Sequence, residues 1–143
     1  MINVEFMDFY VQYCAARTDD RIAMPKTGPT DDWVNERMKK YAEMMSNREF
    51  IDFIKIIKSI AEKKFEALSD SSFIIFGVVN EAIYLRDTKK KSEKHFDETA
   101  TIIDLSEEEE KELVEIIREL QKKLPDAHKY RADSFIKRIK GIQ

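Results

Sequence analysis

Chemistry in this chain would have to come from carboxylates. The sequence holds 28 aspartates and glutamates but only two histidines and one cysteine in 143 residues. Acidic residues three apart share one face of a helix, and such pairs on neighbouring helices can hold Mg²⁺ for nucleotide hydrolysis. Glu5 with Asp8 and Glu49 with Asp52 have that spacing. In so acidic a chain the spacing also arises by chance, and both pairs fall on stripes that the periodicity assigns to solvent. Glu49 and Asp52 are therefore the nearest thing to metal ligands here, without amounting to a site, and no cofactor is expected.

The remaining reactive groups point away from catalysis. His95 and His128 sit in polar surroundings and read as surface residues. Cys14 falls on an apolar helix face, where a thiol is a small buried hydrophobe rather than a nucleophile. Glu81 directly follows Asn80 after the most apolar run of the chain. It reads either as a partly buried acid with a raised pKa or as a helix-end residue paired with Arg86 or a lysine. There is no Gly-rich phosphate loop, no Cys-x-x-Cys, no His-Glu-x-x-His and no Gly-x-Ser-x-Gly. The chain reads as non-enzymatic.

The elements that would position these groups are helices. Only three glycines and three prolines occur, too few turn signals for a multi-stranded sheet. A first helix is predicted from Val4 to Arg17, with Glu5, Asp8 and Gln12 as its polar stripe and Phe6, Phe9, Tyr10, Tyr13 and Cys14 opposite. Residues 18–30, with Pro25, Gly28 and Pro29, lose all periodicity and read as a long loop. A second helix follows Thr30, aligns Val34, Met38, Tyr41 and Met45, and stops near Ser46. Ser46 with Glu49 forms a capping box for a third helix whose buried seam is Phe50, Ile54, Ile57, Ala61, Phe65 and Leu68.

From Phe73 to Leu85 the chain is apolar on nearly every side, as expected of a central helix over about 73–86; a buried strand over Phe73 to Val79 is the rival reading. Gly77 would mark a close approach by a neighbouring helix. Residues 87–101 read as a charged linker or a frayed helix end. Ile102, Ile103 and Leu105 restore an apolar patch before a second capping box, Ser106 with Glu109. That box starts a helix burying Leu113, Ile116, Ile117, Leu120 and Leu124. Pro125 forces a boundary, and a last helix turns Ala132, Phe135, Ile136 and Ile139 inward and ends at Gly141. The expectation is a single all-α domain, a bundle of five or six helices with a largely buried central helix.

Charge comes in blocks although the total is only -3. From Glu93 to Glu119 there are eleven acidic and three basic residues, and from Lys122 to Lys140 two acidic and seven basic. Helix-end electrostatics account for part of this, because acids favour a first turn and bases a last turn. What is left is a basic face of Lys129, Arg131, Lys137, Arg138 and Lys140, interrupted by Asp133, with no aromatic residue interleaved on its charged side.

Three functional readings follow. The first is a regulatory, adaptor or inhibitor protein that binds a macromolecular partner, a protein in preference, through Ile22, Met24 and Trp33 in and beside the long loop and through the bipolar C-terminal third. Met38, Met44 and Met45, on more than one side of the second helix, add adaptable apolar contact surface or simply fill the core. The second is a nucleic-acid-binding protein using the basic C-terminal helix. The third is a metal-dependent all-α nucleotide pyrophosphohydrolase. Isoleucine and lysine outnumber leucine and arginine, the usage of an AT-rich genome, and small phage or plasmid inhibitors belong to the first class. The longest apolar stretch is far short of the ~20 residues that span a bilayer, no signal segment is evident, and a lone cysteine fits a reducing compartment. The expected location is the cytoplasm, with no membrane partner; the oligomeric state is left open.

Overall fold

Ser46 and Ser106 open two helices in the way their spacing to a glutamate requires. The Ser46 hydroxyl accepts from the Glu49 amide at 3.1 Å while a Glu49 carboxylate oxygen accepts from the Ser46 amide at 3.0 Å. Ser106 and Glu109 repeat the exchange at 3.3 and 2.9 Å. Each box satisfies two amides that a helix start otherwise leaves bare.

The computed structural model describes residues 4–25, 31–86 and 105–140. Its helices are α1 (Val4–Thr18), α2 (Asp31–Met44), α3 (Asn47–Phe65), α4 (Ser71–Arg86), α5 (Glu107–Lys123) and α6 (Lys129–Lys140), with a 3₁₀ turn over Asp126–His128 before the last. No strand occurs among the described residues. The charged segment 87–101, the Ile102–Ile103 patch, Gly141, Gly28, Pro29 and His95 lie outside them. No described helix is long and apolar enough to cross a membrane.

Helix α4 is the centre of the bundle and packs against α1, α2, α3 and α5. Ile74, Ile75, Phe76, Val78, Val79, Ala82 and Ile83 are all buried on it, which places apolar side chains around its whole circumference. The strand reading of Phe73–Val79 is thereby set aside: burial on every side, not strand propensity, explains the run of β-branched residues. Gly77 faces the end of α1, where a Cβ would lie 2.6 Å from Thr18 Cγ2 and 2.8 Å from Thr18 Oγ1. The glycine lets the two helices meet.

Helix α1 buries more than one stripe. Met7, Val11, Ala15 and Ala16 join Phe6, Tyr10, Tyr13 and Cys14 in the core, whereas Phe9 is only half-buried. Of its polar stripe, Gln12 is half-buried and donates to the Ala23 carbonyl at 2.6 Å. That bond and the ion pairs of Arg21 with Asp19 (2.6 Å) and Asp70 (2.8 Å) tie residues 19–25 to the body. The Arg21 guanidinium holds the Asp19 carboxyl down to about 2.

Helices α3 and α5 are joined by charge outside and hydrocarbon inside. Arg48 forms a forked bond to Glu112 at 2.6 and 2.8 Å, and Lys55 reaches the same carboxylate. Beneath them Ile57, Ala61, Leu113, Ile116 and Ile117 are buried. Helix α6 meets α4 through Phe135, which lies against Phe76 and Tyr84, and the 3₁₀ turn before it sets His128 against Phe73.

Candidate functional site

Large apolar side chains are normally drawn into the core, so those left in water mark the surface worth reading. Met44 is 74% exposed and Ile56 is 44% exposed, and both line one groove of about 470 Å³, Met44 from α2 and Ile56 from α3. Helix α1 contributes Met7 to it, the end of α2 contributes Tyr41, Met44 and Met45, and α3 contributes Glu49, Asp52, Phe53 and Ile56.

Sequence decides each wall. Glu49, Asp52, Phe53 and Ile56 recur at i, i+3, i+4 and i+7, so they form one stripe of α3. Tyr41 and Met45 are one turn apart and both half-buried, joined by the Met45 amide to the Tyr41 carbonyl at 3.2 Å. Tyr41 is braced from behind by Phe6, ring to ring at 5.2 Å, and by the Arg37 guanidinium 5.7 Å from its centroid. Phe53 and Met7 form the buried floor. The methionines supply flexible, polarizable contact surface over a rigid aromatic base.

The two carboxylates of the groove are engaged in structure rather than poised for chemistry. Glu49 closes the capping box of α3, and Asp52 accepts from Arg48 at 3.1 Å. No group of three or more His, Cys, Asp or Glu suited to a metal exists among the described residues. Glu5 is exposed, and Asp8 pairs with Lys64 at 3.0 Å. The groove can take up apolar surface and attract positive charge.

A second cleft, about 590 Å³ between α3 and α5, is lined by Lys55, Lys58, Lys111 and four glutamates. Several of its charges answer one another: Lys58 bridges Glu62 at 2.8 Å and Glu119 at 3.8 Å, and Arg48 with Lys55 holds the Glu112 carboxyl down to about 2. This is an interhelical charge seam.

The residues singled out for partner binding differ in exposure. Ile22 is half-buried and packs on the core, whereas Met24 is 47% exposed. Trp33 lies in the first turn of α2, and its side chain is outside the described set. On α6 the basic face is broken. Lys129 pairs with Asp126 at 3.2 Å, Asp133 is held by Arg118 at 2.6 Å, and Arg138 is half-buried with its guanidinium 4.9 Å above the Tyr84 ring. Arg138 therefore does not extend the exposed face of Lys137 and Lys140. Aromatic rings do occur on the charged side, contrary to the sequence reading: Arg131 lies 5.6 Å from the Phe73 centroid and 5.7 Å from that of Tyr130, itself 60% exposed. His128 is not a surface histidine either. It is half-buried with its ring 5.0 Å from Phe73, and its enclosed Nδ1 makes no hydrogen bond among the described residues.

A polar cluster between α1 and α4 was legible only in pieces. Cys14 is buried beside Tyr10 and Glu81, and burial pushes the thiol well above its ordinary range. Glu81 is half-buried and its carboxyl is raised by desolvation, with Cys14 and the Arg17 charge pulling it back. Arg17 also donates to the Tyr13 hydroxyl at 2.9 Å. Partial burial is one of the two readings the sequence leaves open for Glu81, but its position beside Cys14 is not visible there, because they come from helices far apart in sequence. A thiol with a raised pKa inside a core is inert.

No family model matches this chain, and neither does any curated protein or solved structure.

Proposed function

We propose that this is a non-enzymatic helical binding protein, of regulatory, adaptor or inhibitor type, that takes an apolar segment of a protein partner into the methionine groove of α1, α2 and α3. The observation that carries the reading is Met44 and Ile56, exposed on two different helices and lining one groove with the buried Phe53. Leaving such side chains in water forgoes burial energy of about 25 cal/mol per Å², which a partner recovers on binding. The reactive groups support a non-catalytic role, since the carboxylates of the groove serve helix capping and an ion pair and Cys14 is buried.

The test is affinity capture from a nuclease-treated lysate of the native cell with three baits: the wild type, Met44→Glu with Ile56→Glu, and Lys137→Glu with Lys140→Glu. A stoichiometric protein retained by the wild type and the α6 variant but lost by the groove variant supports the proposal. Partner retention by the groove variant refutes it. A nucleic-acid-binding role is the second reading, favoured by Arg131 between Phe73 and the exposed Tyr130, a stacking arrangement that single strands exploit. Nuclease-sensitive capture lost in the α6 variant and weakened steeply by salt would put that reading first.

A further inference from the structure

Resting on the groove as the binding site, we infer that its occupant is an amphipathic helix of the partner protein with lysine or arginine beside its apolar stripe. The first argument is backbone chemistry. The walls are the sides of three helices whose amides are bonded within each helix, so an extended peptide would find no row of donors and acceptors to pair with. A guest entering an apolar groove must bring its own hydrogen bonds already made, and a helix does. Dimensions agree. The α3 stripe from Glu49 to Ile56 runs about 10 Å, the length over which a second helix presents residues i, i+3 or i+4, and i+7.

The second argument is charge. Among the described residues, the ionic groups lining the groove are the carboxylates of Glu49 and Asp52. Helix α2 ends at this groove with its partial negative pole and carries no basic residue in its last turn. The positive end of α3 beside it is already answered by the Ser46–Glu49 box. Arg48, which pairs with Asp52, is shared with Glu112 on α5. The polar capacity of the groove is thus that of an acceptor. It repels phosphates, fatty-acid carboxylates and anionic headgroups, and it attracts an ammonium or guanidinium placed one turn from an apolar anchor.

The experiment is fluorescence-anisotropy titration of the full chain with three synthetic peptides of about four helical turns. One carries leucines at i, i+3, i+4 and i+7 among lysines, the second has glutamate for every lysine, and the third is the lysine peptide with a central proline. Tightest binding of the lysine helix is expected, with at least ~10-fold loss for each of the others. Met44→Glu with Ile56→Glu should abolish binding. Glu49→Gln with Asp52→Asn, which keeps the cap acceptor, should bring the lysine and glutamate peptides within ~3-fold of each other. Removing two exposed acids of α5, Glu108→Gln with Glu115→Gln, should leave the preference intact, which separates the groove from the net charge of the protein.

Equal binding of lysine and glutamate peptides by the wild type overturns the charge inference, and equal binding of the proline peptide overturns the helix. Failure of all three to bind overturns the inference as a whole. In each of these cases capture by the wild type and its loss in the groove variant still decide the underlying reading. Peptide binding that survives the groove variant refutes both.

Discussion

Replacing Gly77 by alanine tests how closely α1 and α4 are matched. In a free helix the change stabilises by ~1 kcal/mol. Here the new Cβ would stand 2.6 Å from Thr18 Cγ2, 2.8 Å from Oγ1 and 3.2 Å from Cβ, where roughly 3.5–4.0 Å is comfortable. Thr18 cannot easily swing aside. It is β-branched, and its hydroxyl donates to the Cys14 carbonyl at 2.9 Å. Relief requires either parting the two helices by nearly an ångström or breaking that bond. Overpacking of this kind costs about 1–3 kcal/mol and a lost hydrogen bond about 1 kcal/mol.

Gly77→Ala is therefore expected to destabilise by about 1–2 kcal/mol net, a fall in Tm of about 3–6 °C for a chain of this size. Thr18→Ala removes the two nearest of these three atoms and leaves only the Cβ at 3.2 Å, so in that background Gly77→Ala should become neutral or stabilising. The assay is urea unfolding followed by circular dichroism for the four proteins of the cycle, with an expected coupling of at least ~1 kcal/mol. A Gly77→Ala protein as stable as the wild type, or a coupling within ~0.3 kcal/mol of zero, refutes the argument that Thr18 is what demands the glycine.

Three further outcomes follow from the same contacts. Burial raises the Glu81 carboxyl above its ordinary 4.5, so the folded chain holds that proton longer than the unfolded one and stability falls as pH rises from about 4.5 through the raised value. Glu81→Gln should match the wild type near pH 4 and exceed it at pH 8 in denaturant midpoint; a difference that does not change with pH would falsify this. Glu112 is held down to about 2 by Arg48 and Lys55, so its contribution is present above 4.5 and disappears as pH falls to about 2. Glu112→Gln should lower stability at pH 7 by no more than ~1 kcal/mol, since the seam is solvent-facing, and the gap should close in acid unfolding curves. Ser106→Ala breaks the α5 box and should cost about 1 kcal/mol in thermal unfolding, with most of the loss recovered by Ser106→Asp and little by Ser106→Val.

What the sequence determined by itself is what short-range physics controls. The Ser46–Glu49 and Ser106–Glu109 boxes, the break at Pro125, and the inward seams of α3, α5 and α6 depend on residues within a turn or two of one another, and they are visible as spacing. The position of α4 at the centre was also legible, because a helix apolar on all sides has no stable place on a surface.

Tertiary structure decided how far each residue is withdrawn from water. The stripe of Val34, Met38, Tyr41 and Met45 separates Met38 from Met44 in direction only, and it takes the packing of α2 on α4 to leave one fully buried and the other 74% exposed. Arg138 and Lys137 are neighbours in a basic run, yet Tyr84 of α4 draws one inward while the other stays in water. Cys14 and Glu81 became neighbours, and Glu49 and Asp52 the acidic lining of an apolar groove, for the same reason. Periodicity reports the direction a side chain takes from its own helix axis, whereas burial, pairing and pKa are set by whichever helix arrives opposite.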